Sequence, residues 1–531
     1  MNPRTPFVLA AVSAVLLILA HQPTGAWPLV LVALVPLVRL AEAEGVGAGR
    51  RALAAYIGGA LLFGVACRWL TIAAWPNLVM MTVFEAMSFP AFVFLHRITR
   101  RRLPRAASVA VAWLAIEFVR GLFPWNGYPW LLLGYAWCGP LPLVQAAELF
   151  GVSGMTFLAA WANGLLATAL TTCGRARALR IVGVVLLPVL LFAYGVQRIR
   201  TVRYDSEPGP RILLVQANVP QRLKNSLKTD QVEAMQRRVT REAVAAEVAE
   251  GFDLVCWAET MFPYLLHHDV GPESDALDAQ VMAKVVTSEL GAMPGAWFLT
   301  GAITLRMRAD GRRETFNSIL LFDEDGKRVG QYDKSVLVPG GEFIPMRGIL
   351  PDFVFDIIRS IAGTLPDLTA GSGPDVLTLE TADGRTFRMG PTICYENVYP
   401  GFCARTVAGG VDFLLNVSNE AWFGDSAEFD QMDIASRFRA IETRRSLVRA
   451  TNSGISGLYG ATGERLERVL SPGGRDRAVS GHCVVEVPVH AGKTAFVRFG
   501  DVVGLLTTFL ATLLCLGGLL DRRRYPRSRQ D

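Results

Sequence analysis

The sequence predicts an α/β protein in two parts: a polytopic membrane helix bundle of about eight spans, and a layered α/β domain outside the cytoplasm. Three observations predict it. Of 531 residues, 51% are hydrophobic and only 19% charged, a balance displaced from globular norms toward the membrane class. The apolar residues concentrate in 1–200 and 501–520, and arginines gather at the borders of those apolar runs. From Arg211 onward the apolar runs become short and bounded by turn residues, the pattern of buried strands.

A bilayer core requires about 20 mostly apolar helical residues. Candidate spans lie at 6–20, 27–41, 52–75, 78–96, 106–120, 150–171, 180–198 and 501–520. Cytoplasmic loops carry an excess of Lys and Arg. With the N-terminus inside, the inside segments hold Arg39, Arg50 and Arg51; Arg97, Arg100, Arg101, Arg102 and Arg105; Arg175, Arg177 and Arg180; and Arg522, Arg523, Arg524, Arg527 and Arg529. The opposite loops at 21–26, near 76 and across 121–149 contain neither residue. This orientation puts both termini in the cytoplasm and residues 200–500 in the periplasm of a bacterial inner membrane. The net charge of +6 is explained by these border arginines, so no nucleic-acid partner is expected. A cleaved signal peptide over the first span is disfavoured, because no small-residue cleavage site is evident.

Glu117 and Arg120 stand three residues apart at the end of one span, followed by an aromatic-, Gly- and Pro-rich stretch. One reading is a helix-end salt pair with an interfacial aromatic belt; the other is a semi-buried loop lining a cavity for lipid.

In the second part, Ile212–Val215, Leu254–Trp257, Phe298–Ile303, Ser318–Phe322, Phe387–Ile393 and Phe413–Val417 read as strands. Helices are expected over 229–250, 274–290 and 427–445. Asp325-Gly326 signals a hairpin. Strands alternating with helices indicate a layered α/β domain, and residues 344–375 look like a mobile loop or lid. The domains divide as 1–200, with about seven helices, 208–492, and 493–531. The eight cysteines show neither a CxxC pair nor metal-like spacing, so neither a disulfide framework nor a metal site is predicted. His267-His268-Asp269 superficially resembles a metal cluster, but neighbours on a loop seldom converge on one ion.

Reactive residues follow three of the buried runs. Leu254-Val-Cys-Trp-Ala-Glu259 ends in a carboxylate, Tyr332-Asp-Lys334 in an ammonium, and Gly390-Pro-Thr-Ile-Cys394 in a thiol. A cysteine attacks as thiolate and requires a base or a positive charge beside it. No histidine of this region stands in a recognisable catalytic setting. A Glu–Lys–Cys set does that work: the carboxylate takes the thiol proton, and the ammonium stabilises thiolate and oxyanion.

These segments resemble the nitrilase (carbon–nitrogen hydrolase) superfamily, in which Glu, Lys and Cys follow in this order. Tyr332-Asp-Lys-Ser through Gly-Glu342-Phe-Ile-Pro345, Ile393-Cys-Tyr-Glu396, Ser418-Asn-Glu-Ala-Trp-Phe-Gly-Asp425, Arg449-Ala-Thr-Asn-Ser-Gly-Ile-Ser456, the Glu117–Tyr135 segment and Thr494–Asp501 are similar to apolipoprotein N-acyltransferases. The resemblance covers almost the whole chain. It implies an αββα nitrilase-like extracytoplasmic domain, no cofactor, and a ping-pong reaction. Cys394 would take an acyl chain from a phospholipid donor, usually phosphatidylethanolamine. The N-terminal amine of a diacylglyceryl-cysteine apolipoprotein acceptor would then receive it.

By the same resemblance Glu259 is the general base and Lys334 the oxyanion and thiolate stabiliser, and Tyr395 supplies an oxyanion-hole N–H. Glu342 positions Lys334 or assists proton transfer, Glu396 and Trp422 shape the site, and the protein is a monomer. The sequence departs from the family at Asn225, where a Trp is frequent, and at Gln431, where a His is frequent. A membrane-tethered amidase using the same triad is the rival reading, with water as second substrate. A catalytically dead scaffold and a transporter are further alternatives. The extensive membrane portion argues for an acyl substrate that enters from the bilayer.

Overall fold

The computed structural model describes residues 2–226, 228–268, 288, 295–308, 310–356 and 367–524. The chain forms two compact units, one comprising Met1–Thr71, Trp75–Arg200 and Phe499–Asp531, the other Ile72–Ala74 and Thr201–Arg498.

The first unit is helical. Three stretches among the described residues are long and apolar enough to cross a membrane: Leu70–Thr99, Ala147–Ala169 and Gly174–Tyr204. Thr5–Ala20 and Val502–Gly517 are shorter apolar helices. Helices Ala48–Ala66 and Arg105–Arg120 complete the set. The expected spans 52–75 and 78–96 therefore change boundary: the chain turns at 67–69, and the next stretch runs to Thr99. It is kinked at Ala74 (φ −164°) just before Pro76, where proline removes a backbone donor and crowds the preceding turn.

A continuous helix over 27–41 does not form. Pro28 and Pro36 sit at the starts of a five-residue 3-10 turn, Trp27–Leu31, and an eight-residue helix, Val35–Glu42. The backbone groups freed by the break find side-chain partners, as buried irregular backbone in an apolar bundle must. Asn163 Oδ1 accepts from Leu34 N at 2.8 Å, and its Nδ2 donates to Val30 O at 2.7 Å. Ser13 donates to Ala33 O at 2.5 Å. A Cβ on Gly164 would lie 2.5 Å from Ala106 Cα, so glycine is what lets those two helices approach.

The second unit holds thirteen strands among the described residues: β1 (Ser206–Gln216), β2 (Leu254–Trp257), β3 (Leu265–His268), β4 (Trp297–Met307), β5 (Arg313–Phe322), β6 (Arg328–Asp333), β7 (Leu377–Glu380), β8 (Thr386–Ile393), β9 (Phe413–Ser418), β10 (Leu447–Thr451), β11 (Gly457–Tyr459), β12 (Arg465–Arg468) and β13 (Gly481–His490). One sheet has the order β13-β1-β2-β4-β5-β6, with β3 also on β4; the other runs β12-β11-β10-β9-β8-β7. β1, β2 and β4 are parallel to one another, as are β8, β9 and β10.

Helix Thr229–Glu247 covers the first sheet with Val232, Gln236, Val239, Thr240, Ala243 and Val244, a spacing that keeps one face inward. Beneath it Trp257 packs edge-on against Phe298 at 4.9 Å and donates Nε1–H to Thr240 Oγ1 at 3.0 Å. Helices Pro400–Ala408 and Ala427–Thr443 cover the second sheet. Gln216 joins the sheets: its buried Oε1 accepts from Thr451 Oγ1 and Ser456 Oγ.

The expected strands are all present, some longer than read, and the hairpin pairs β5 with β6. The helix expected over 274–290 falls outside the described residues, apart from Ser288. Of the loop 344–375, the described returning limb is fastened: Leu368, Thr369 and Gly371 donate their N–H groups to the carbonyls of Glu342, Thr315 and Lys334. The part at 357–366 lies outside the described residues.

Candidate active site

The three reactive residues interact with one another within the second unit. β6 runs antiparallel to β5, and β5 antiparallel to β4. The C-terminal end of β6 therefore points the same way as those of β2 and β4. Glu259 follows β2, Lys334 follows β6 and Cys394 follows β8, so each is delivered at a strand's carboxyl end, where α/β sheets place their ligand sites.

Glu259 sits in the gap between β2 and β3, both of which lie along β4. The chain crosses β4 there at very short range, held by Phe262 N–H on Gly301 O (3.1 Å) and Gly301 N–H on Ala258 O (3.2 Å). Its carboxylate is 6% exposed. Oε1 accepts from Asn317 Nδ2 at 2.7 Å, and Oε2 from Asn419 N–H at 2.7 Å.

Lys334 is 1% exposed. Its Nζ donates to Glu342 Oε1 at 2.8 Å and lies 3.7 Å from Glu259 Oε1. Burial opposes the ammonium charge, but Glu342, then Glu259 and Cys394, outweigh it and hold the lysine well above its ordinary range. Glu342 is itself fixed by Val338 N–H on Oε2 at 2.9 Å.

Cys394 ends β8 with φ +52° and opens the 3-10 turn Cys394–Val398. A left-handed non-glycine residue persists only where its surroundings hold it. Glu396, fully buried, does much of that holding. Its carboxylate accepts from Ile393 N, Ser335 N, Ser335 Oγ, Val336 N and Tyr332 OH, all at 2.7–3.0 Å. It thereby ties the strand carrying the thiol to the loop carrying the lysine. Below the turn, Asn416 Nδ2 donates to Thr392 Oγ1 at 3.0 Å and to Cys394 O at 3.4 Å, and Arg449 Nε donates to Asn416 Oδ1 at 3.3 Å. Burial and then Glu259 push the thiol up to about 12, against the opposing Lys334 charge. Glu259 and Lys334 thus act on the thiol with opposite sign.

The other anticipated residues are placed as follows. Tyr395 is buried, its ring edge-on to Tyr399 at 5.1 Å. Trp422 is 43% exposed in the turn Glu420–Phe423. Asn225 is exposed and accepts from Gln221 Nε2 at 2.8 Å, and Gln431 is buried in helix Ala427–Thr443.

Glu117 and Arg120 belong to the helical unit and are turned into its packing. Glu117 accepts from Trp113 Nε1, Leu133 N and Thr156 Oγ1, each at 2.8 Å. Arg120 donates to Glu85 Oε2 at 3.0 Å and to the carbonyls of Tyr128, Trp130 and Leu131. The two lie 3.9 Å apart beside a cavity of only about 10 Å³. Their bonds tie the 121–146 segment to the bundle. For the His267-His268-Asp269 run, the side chains lie outside the described residues.

Sequence reasoning missed the amides. Asn317 bridges Glu259 and Glu342, its Nδ2 lying 2.7 and 3.3 Å from their oxygens. It stands one residue before the strand read at Ser318–Phe322, and a polar residue continuing an apolar run was the available signal. Asn419 lies within the quoted 418–425 phrase and Asn452 within 449–456, but nothing in those phrases showed which group each one meets.

The chain is similar to known proteins along most of its length. Residues 13–165 match the family described as "Apolipoprotein N-acyltransferase N-terminal domain", and residues 213–485 match "Carbon-nitrogen hydrolase". The chain is 30% identical to the apolipoprotein N-acyltransferase of Geobacter metallireducens, over 94% of this chain and 92% of that one. It is 30% identical to that of Azotobacter vinelandii, over 98% and 96%. A Nesterenkonia amidase of the nitrilase superfamily aligns in structure at TM-score 0.36 and 16% identity, covering 57% of this chain and 97% of that one. By its end-to-end similarity to these relatives, the chain belongs to the apolipoprotein N-acyltransferase family, bacterial membrane acyltransferases of lipoprotein biosynthesis with a carbon–nitrogen hydrolase domain.

Proposed function

We propose that this protein moves a fatty acyl chain from a phospholipid, phosphatidylethanolamine in the first instance, through a Cys394 thioester to the N-terminal amine of a diacylglyceryl-cysteine apolipoprotein. The observation that carries the reading is the meeting of three strand ends. The buried Lys334 ammonium lies 3.7 Å from the Glu259 carboxylate, and its charge bears on the Cys394 thiol.

In the first half-reaction Glu259 takes the thiol proton as sulfur attacks the ester carbonyl. Lys334 and the Tyr395 N–H stabilise the oxyanion. The C–O bond breaks, and Glu259 returns the proton to the departing lysophospholipid oxygen. In the second half-reaction the amine attacks the thioester, its proton passes to Glu259, and the C–S bond breaks to release the thiolate, which is reprotonated. Glu342 holds Lys334 in line throughout. Trp422, 43% exposed three residues after Asn419, borders the acyl path. Glu117 and Arg120, bonded to the 128–133 backbone, are the candidates for shaping a lipid pocket on the membrane side.

In the topology that the border arginines favour, the chain crosses the inner membrane eight times, the second crossing made by the broken 27–42 segment. Residues 1–200 and 493–531 form the membrane portion, residues 208–492 lie in the periplasm, both termini are cytoplasmic, and the protein works as a monomer.

The test is thioester formation. Purified protein in detergent is incubated with acyl-labelled phosphatidylethanolamine and split with neutral hydroxylamine, comparing wild type with Cys394→Ala and Cys394→Ser. A hydroxylamine-labile acyl-protein that requires Cys394 is expected. If none forms while iodoacetamide still labels Cys394 in folded protein, the acyl-transfer mechanism is wrong.

A further inference from the structure

The segment between β1 and helix Thr229–Glu247 contributes a residue to the site that the mechanism above does not use. Two buried asparagines fasten it. Asn452, fully buried, accepts from Val219 N–H on Oδ1 at 2.8 Å and donates Nδ2 to Val219 O at 2.8 Å and to Asn419 Oδ1 at 3.0 Å. Its carbonyl accepts from the N–H of Asn218, which stands at φ +52°. Asn419 in turn donates Nδ2 to Gln221 Oε1 at 3.0 Å while its N–H donates to Glu259 Oε2 at 2.7 Å. One amide chain therefore grips both the short helix Gln221–Asn225 and the base.

That grip delivers Lys224, whose Nζ donates to Thr260 Oγ1 at 2.6 Å. Thr260 is the residue after Glu259 and stands at φ +51°, in the left-handed region that a threonine adopts only under constraint. The lysine spans from the Asn-clamped segment to the strained turn from which Glu259 projects.

We propose that Lys224 is a positioning residue for the general base: its ammonium holds the Thr260 turn and brings a second positive charge, besides that of Lys334, to bear on Glu259. The inference rests on Glu259 serving as the base of Cys394. The charged group that bears on Lys224 is Glu259; around Glu259 stand Lys334, Cys394 and Glu342. Burial brings the Lys224 ammonium down to about 7, although Glu259 works to raise it. At acidic pH, where the ionisation of a carboxylate base is read, Lys224 carries its charge and favours the carboxylate.

The test is the pH profile of Cys394 alkylation by iodoacetamide in full-length protein in detergent, with Cys394→Ala as background and thermal midpoints to establish folding. Glu259→Gln comes first. If it fails to slow alkylation, the base assignment falls and this inference with it. Given that it does slow alkylation, Lys224→Met is expected to move the acid limb upward by about one pH unit, a roughly tenfold slower rate on the limb, and Lys224→Arg to restore the limb. Thr260→Val, which keeps the charge and removes its anchor, lowers the plateau without moving the limb, and it serves as the second variant if Lys224→Met does not fold. An unshifted limb in folded Lys224→Met, or a Thr260→Val profile identical to wild type, overturns the proposal.

Discussion

Gly301→Ala tests how closely Glu259, the proposed base, is held. Gly301 lies in the middle of β4, where the chain carrying Glu259 crosses it. A Cβ there would stand 2.5 Å from Thr260 N, 2.6 Å from Glu259 Cα and 2.8 Å from Ala258 O. All three contacts are backbone, so no side-chain rotation relieves them. Restoring ordinary van der Waals separation moves the Ala258–Thr260 backbone by roughly 1 Å, and such a displacement of a catalytic group costs on the order of a hundredfold in rate. Overpacking of this kind costs about 1–3 kcal/mol of stability, which a domain with a core of this size survives. The assay is the initial rate of hydroxylamine-labile acyl-protein formation, with the thermal midpoint measured on the same preparation. Gly473→Ala is the control, since its added Cβ meets nothing closer than Ser471 Oγ at 3.9 Å. A Gly301→Ala protein acylating within twofold or so of wild type would show that Glu259 need not be held as described.

Two further predictions follow from the buried groups. Glu396→Gln turns one carboxylate oxygen into a donor facing N–H and O–H groups. It should cost about 3 kcal/mol, read as a thermal midpoint lower by roughly 5 °C or more; a midpoint within about 1 °C of wild type would remove Glu396 from its tethering role. Burial raises the thiols of Cys403 and Cys483 from 9.0 to about 12, as it does for Cys394. The folded state keeps these protons while the unfolded chain releases them above pH 9, so stability falls as pH climbs from about 9 toward 12, by about 1.4 kcal/mol per pH unit per thiol. Cys403→Ala should lower that slope by one proton in denaturation at pH 9–10.5, and an unchanged slope would contradict the assignment.

The sequence by itself showed a division into two parts, because hydrophobic period is a local property that a short window of residues displays, and the chain forms two compact units. It also marked Glu259, Lys334 and Cys394, since each follows an apolar run that β-pairing buries, leaving the polar residue at the strand end. The pairing of β5 with β6 was legible from Asp325-Gly326 for the same local reason. Only the tertiary structure decided how Glu259 is held. Asn317, Asn419 and Asn452 come from three strand regions far apart in the chain, and an isolated asparagine in sequence looks the same whether it faces water or a buried carboxylate. The broken 27–42 segment was likewise hidden. Its apolar composition suits a span, while the prolines that divide it are tolerated only because Asn163 and Ser13, from other helices, take up the freed backbone groups. Nothing in the sequence around Lys224 shows that the Asn452 clamp carries it to Thr260. Its role depends on the packing of β1 against β10, from the other sheet, which no local pattern encodes, because hydrogen bonds across a fold are set by which chain segments meet and not by what each contains.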